Sequence, residues 1–240
     1  MDVRREWTTL LILLLCTDCL LIVLHVLHIS TGYFADPNYS IFRERGFGEV
    51  FQYVKEHWIG LLFLYLAITR RSPLYFSWAL LFGYLLIDDS FTVHERLGTE
   101  ISRYFNFSPA LRIRPQAFGE LAVSAFFGLF FFALIGVSYH FSDTSVRRTC
   151  RPLFLLLLAL VFFGVGMDTI HSMARSPVWG HILGIIEDGG EMLVMSVTVW
   201  FVFLLQDRTR LSEADQVCER SCADKQDSSP REQTKRRAGT

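Results

Sequence analysis

Across 240 residues the chain is 51% hydrophobic and 15% aromatic, yet its formal net charge is only −1. Charged residues are therefore segregated into blocks rather than absent, which is the pattern of a membrane protein and not of an ordinary soluble domain. No segment resembles a nucleic-acid site.

A helix crossing about 30 Å of hydrocarbon needs roughly 20 mostly apolar residues. Such stretches recur at 8–29, 51–69, 74–93, 117–139, 152–171 and 181–205. The fold class is all-α, an integral membrane bundle of about six transmembrane helices over 1–206. The first run follows Arg4 and Arg5 as a signal peptide would, but it outlasts an h-region and lacks an Ala-x-Ala-like cleavage site. It reads as a retained helix. Leu13-Leu14-Leu15-Cys16 lacks the small residues of a lipoprotein box.

Residues 30–48, with Asp36-Pro37-Asn38 and Arg43-Glu44-Arg45, read as an outer loop. The second apolar run carries Lys55, Glu56 and His57 in its early turns, so five spans is the alternative count. Pro73 and Pro152 fit the first turns of the third and fifth helices, where a missing amide proton costs nothing. A second outer loop, 98–116, sets Tyr104, Phe105, Phe107 and Leu111 among arginines, a composition suited to the headgroup layer. Residues 207–240 are charged and poor in large apolar groups, a disordered cytoplasmic tail. The five cysteines imply no disulfide framework, and Cys16 and Cys19 read as small packing residues.

With six spans, both termini share one side with Arg70, Arg71, Arg147, Arg148, Arg151, Arg208 and Arg210. The positive-inside rule makes that side cytoplasmic, placing the chain in the inner membrane with N and C termini in the cytoplasm.

Ionisable groups inside spans are costly, roughly 2.5–3.5 kcal/mol each on insertion scales, and usually face a cavity, a partner or a pathway. At ~1.5 Å per residue from the cytoplasmic end, Asp88 lies about 22 Å up the third helix, Asp168 about 24 Å up the fifth, and Glu191 about 22 Å up the sixth. A second tier holds His25, His94, Glu95, His171 and Glu187, and Glu56 sits near the first. Helical spacing aligns Asp88 with Glu95, Asp168 with His171, and Glu187 with Glu191. Gly189 and Gly190 allow close approach beside Glu191.

Several carboxylates and imidazoles at one depth repel one another if all are ionised, and a cation resolves the conflict. Asp-x-x-His on one helix and Glu-x-x-x-Glu on another are near the spacing of di-iron or di-manganese bundles, and the same donors suit zinc. The expectation is a divalent metal site of zinc, iron or manganese, open to the extracytoplasmic side, with Asp88, Glu95, Asp168, His171, Glu187 and Glu191 as ligands. The alternative is that these groups are hydrogen-bonded struts fixing helix register, with Asp18 a strut or a paired counter-charge.

The segments Leu86–Ser90 through His94–Gly98, Met167–His171 and Ile186–Met192 resemble a family of uncharacterised bacterial multi-pass membrane proteins, as does Gly48–Glu56. That resemblance implies a bacterial membrane location and no particular activity. A looser similarity links the chain to ceramidase-type membrane zinc hydrolases, whose paired His-x-x-x-His helix has no counterpart here.

Three function classes follow. The first is a metal-dependent enzyme acting on a lipid-like substrate that enters from the bilayer, with Glu95 or Glu187 as general base, as a hydrolase or a di-iron oxidoreductase. The second is a proton- or cation-coupled transporter using Asp88, Asp168 and Glu191. The third is haem binding by His25 or His28 facing His94 or His171.

Overall fold

The computed structural model describes residues 3–105, 115–172 and 176–228, and every regular element among them is helical. The chain divides into two units, Met1–Val202 and Phe203–Thr240. The first holds the bundle. The second is helical as far as Ser228, where the sequence led us to expect a disordered tail, and 229–240 lie outside the described residues.

Helix α1, Val3–Ser30, turns Leu14, Asp18 and His25 inward and leaves Leu13, Leu20, Val23 and Ile29 exposed. Its buried stripe follows the four- and seven-residue repeats of one helix face, and that face is partly polar. Cys16 and Cys19 lie on its exposed side, so they do not pack within the bundle as expected, whereas Cys150 is buried. The following loop holds a short 3-10 turn, Pro37–Tyr39, capped by Asp36, which accepts a hydrogen bond from Asn38 N at 2.9 Å.

Helices α2, Phe47–Arg70, and α3, Pro73–Phe91, form an antiparallel hairpin across two residues. Arg71 makes the reversal in the left-handed region (φ 47°), its N–H bonded to Ala67 O, and Pro73 begins α3 at the position expected of it. Phe63 of α2 stacks on Tyr75, Trp78 and Phe82 of α3 with centroids 6.0–6.3 Å apart, and all four are buried. In hydrocarbon such dispersion packing, rather than escape from water, holds helices together.

Thr92 stops α3 in the left-handed region (φ 50°), and α4, Val93–Phe105, leaves at 70° to it. Part of the expected outer loop is thus a short amphipathic helix; 106–114 lie outside the described residues. Helix α5, Pro115–Phe141, is tied to α3 by a hydrogen bond between Ser77 and Ser138 at 2.6 Å.

Helix α6, Thr144–Val161, starts eight residues earlier than expected, so Pro152 lies inside it rather than in its first turn. Arg147 N closes the opening turn on Asp143 O at 3.0 Å, because 144–151 contain nothing that resists a helix. The chain then passes through a π-helical turn, Phe162–Met167, into α7, Asp168–Ser172, and returns as α8, Pro177–Ser228.

Glu6–Ser30, Gln116–Phe141, Thr144–His171 and Pro177–Asp207 are each long and apolar enough to cross a membrane. The bent pair of α3 and α4 makes a fifth crossing if it counts as one span. Helix α2 falls short by composition, since Lys55 and Glu56 interrupt it.

Candidate functional site

The α2–α3 hairpin brings the start of one helix beside the end of the other. Glu49 and Glu56 therefore come within electrostatic reach of Asp89, and Tyr53 Oη donates to Asp89 O at 3.1 Å. The carboxyls of Glu56 and Asp89 are in hydrogen-bonding contact. Glu56 is buried and its Oε2 accepts a hydrogen bond from no donor among the described residues.

Asp88 caps α4. Its Oδ1 accepts from His94 N at 2.8 Å, and its Oδ2 lies 3.1 Å from His94 Nδ1. A carboxylate at a helix N-terminus satisfies an orphan N–H and the positive end of the dipole together. His94 sits on α4, outside the spanning helices, and the hydrogen bond its ring donates to Asp88 holds its imidazole up at about 9.

The expected alignment of Asp88 with Glu95 does not occur, because Thr92 breaks the helix between them. Glu95 has Glu44, His94, Glu120 and Glu49 as its electrostatic neighbours, and burial followed by Glu44 pushes its carboxyl up.

His171 Nδ1 lies 2.8 Å from Glu187 Oε2, joining α7 to α8. Asp168 is exposed, and His171 takes Glu187 rather than Asp168 as its partner. Glu187 and Glu191 do share a face of the unbroken α8. Glu191 lies within electrostatic reach of Asp89, Asp188, Glu187 and Asp168. Its carboxyl rests against Gly164 of the π-helical turn, and Phe163 lies over Gly190. Side chains at either glycine would occupy that space, which is the close approach the Gly189-Gly190 pair signalled.

Sequence reasoning missed a fully buried ammonium group, that of Lys55. Lys55 Nζ donates to Asp18 Oδ1 at 3.0 Å, to Met192 O at 2.9 Å and to Ser196 Oγ at 3.3 Å, and Ser196 donates to Asp18 Oδ2. A lysine within an apolar run demands an acidic partner on a neighbouring helix. Asp18, read as a strut or counter-charge, was the available one.

The six expected metal ligands thus divide into separate arrangements: Asp88 with His94, Glu187 with His171, Glu191 among carboxyls, Glu95 on α4 and Asp168 at the surface. Among the described residues, no three His, Cys, Asp or Glu side chains come together in a group that could hold a metal ion. Two of the carboxylates have an imidazole partner instead, Asp88 with His94 and Glu187 with His171.

An all-helical bundle with several membrane-length apolar helices and an interior lined by paired carboxyl, imidazole and ammonium groups defines a multi-pass membrane protein. The chain belongs to a family described as a domain of unknown function (DUF8692), whose model matches residues 10–206. No curated protein and no solved structure matches it.

Proposed function

We propose that the protein crosses the bacterial inner membrane six times, with both termini cytoplasmic, and that its interior carboxyls carry protons as part of a proton- or cation-coupled transporter. The observation that carries this reading is the contact of Glu56 with Asp89, next to Glu191. Two ionised carboxylates in contact repel, so such a pair holds a proton between them and exchanges it as its surroundings change. Asp88 and His94, one residue and one turn away, form a partly exposed dyad through which that proton passes outward.

Helix α2 is the sixth span. Lys55 and Glu56 interrupt its apolar run but are both buried, while Val54, Trp58, Leu61, Tyr65 and Ile68 face outward. Helix α4 lies in the headgroup layer, and α3 alone crosses.

The test is proton flux in proteoliposomes carrying a trapped pH indicator. Wild-type protein should relax an imposed pH gradient, and Glu56→Gln or Asp89→Asn should abolish that relaxation. Wild-type vesicles no leakier than empty ones end the proposal.

A second reading, a membrane enzyme on a lipid-like substrate, is favoured by the His171–Glu187 pair. Its imidazole is 36% exposed and held by a carboxylate, the arrangement of a general base that takes a proton from water. Asp168, Asp188 and Glu191 are within electrostatic reach of that pair. A metal-dependent form of this enzyme needs one of them to join the pair as a third donor. Elemental analysis of purified wild type beside an Asp168→Asn/Glu191→Gln variant separates the cases: stoichiometric zinc, iron or manganese lost in the variant supports the metal enzyme, and a metal-free wild type ends it.

A further inference from the structure

We propose that the groove between α2 and α3 binds one single-chain amphiphile with an uncharged hydroxyl head, held at Glu56. A cavity of 220 Å³ runs along the hairpin, lined by Glu56 and His57 and otherwise by apolar residues that include Leu64 and Ala79. Two glycines form its floor. A Cβ built on Gly60 would approach Gly83 N at 3.9 Å, whereas one on Gly83 would meet nothing within 4 Å. Leu61, Leu64, Phe76 and Leu80 along its walls are 37–51% exposed, so the groove opens sideways to the bilayer.

Glu56 selects the head. Glu56 is 1% exposed, and its Oε2 receives no hydrogen bond from a donor. Buried acceptors in such surroundings are nearly always satisfied, so one left without a donor among the described residues, on a side chain that lines a cavity, calls for a donor from the occupant. Asp89 and Glu191 stand close to Glu56, and the Glu56–Asp89 pair keeps a negative charge even with one proton shared, so an anionic head would be repelled there. A hydroxyl donates the missing hydrogen bond without bringing another charge into hydrocarbon. The volume lies below the ~300 Å³ at which pockets take drug-sized ligands, so it accommodates a chain rather than a ring system.

This inference stands apart from proton transport, since binding is read without any gradient. The full chain, purified in detergent, is photolabelled with a medium-chain alcohol bearing a mid-chain diazirine, and in parallel with the carboxylic acid of the same chain. The alcohol should label peptides from 60–64 and 79–86, and the acid should label them about tenfold less, the ratio that one lost hydrogen bond plus repulsion produces. Gly83→Leu fills the open floor and should cut labelling by the alcohol about tenfold as well. Glu56→Ala should do the same; if that variant does not fold, Gly83→Leu and the alcohol-to-acid ratio on wild type decide. Equal labelling by alcohol and acid, or labelling unchanged by Gly83→Leu, overturns the proposal.

Discussion

Lys55 and Asp18 meet at 3.0 Å with neither side chain exposed to any degree, on helices α2 and α1. Ser196 and the Met192 carbonyl of α8 complete the shell, so three helices are pinned at one point. The Lys55 ammonium also lies 4.7 Å from the centre of the Phe51 ring. Burying two charges is repaid only when their remaining hydrogen-bonding capacity is filled, as it is here.

Breaking this pair from one side should be severe. Lys55→Met leaves Asp18 buried without its counter-charge and should destabilise the bundle by about 3–5 kcal/mol, whereas the double variant Lys55→Met/Asp18→Leu should regain most of that loss. Thermal unfolding in detergent measures both. A single variant as stable as wild type would show that the pair contributes nothing.

Stability should also fall at high pH through His94. Asp88 raises the imidazole to about 9, above the ordinary histidine value, so the folded protein holds that proton more tightly than the unfolded chain does. The stabilisation is complete below the unfolded value of about 6.5 and is lost as pH climbs through the folded one. Melting temperature followed from pH 7 to pH 10 should decline in wild type, and Asp88→Asn should flatten the decline. Identical profiles for the two proteins would contradict the assignment.

The glycines of the bundle should divide into two groups. Gly190→Ala drives a methyl into the Phe163 ring and should cost about 1–3 kcal/mol, the range for overpacking. Gly128 and Gly136 on α5 face open space, so alanine there should be neutral or should add up to about 1 kcal/mol of helix propensity. Unfolding midpoints of the three variants decide; equal effects at all three would mean that the π-helical turn and α8 do not pack as described.

Gly98 and Gly119 should behave like Gly190. Their backbones touch where α4 crosses α5, with Glu120 against Gly98, so either Gly→Ala substitution pushes the crossing apart. The expected readout is faster proteolysis within 93–105 for Gly98→Ala than for wild type, with cleavage elsewhere unchanged. A proteolysis pattern like that of wild type would remove the crossing as a structural constraint.

The membrane class was legible in the residues because hydropathy is a property of a local run, and the helices appear wherever such runs occur. Pairing was only partly legible. Glu187 and Glu191 share a face because nothing interrupts α8, and the same four- or seven-residue reasoning failed for Asp88 and Glu95 because Thr92 takes a left-handed conformation between them. Asp168 and His171 follow directly on a π-helical turn, and His171 takes its partner from α8.

What residue order determines here is therefore the helical class with several membrane-length apolar runs, and the need of Lys55 for a buried acid. Which acid answers Lys55, and whether the carboxylates gather round one point or pair off with separate partners, was decided by tertiary structure. The physical reason is that depth is counted along one helix, whereas the azimuth and crossing of a second helix depend on contacts such as Gly164 with Glu191 that no single run encodes.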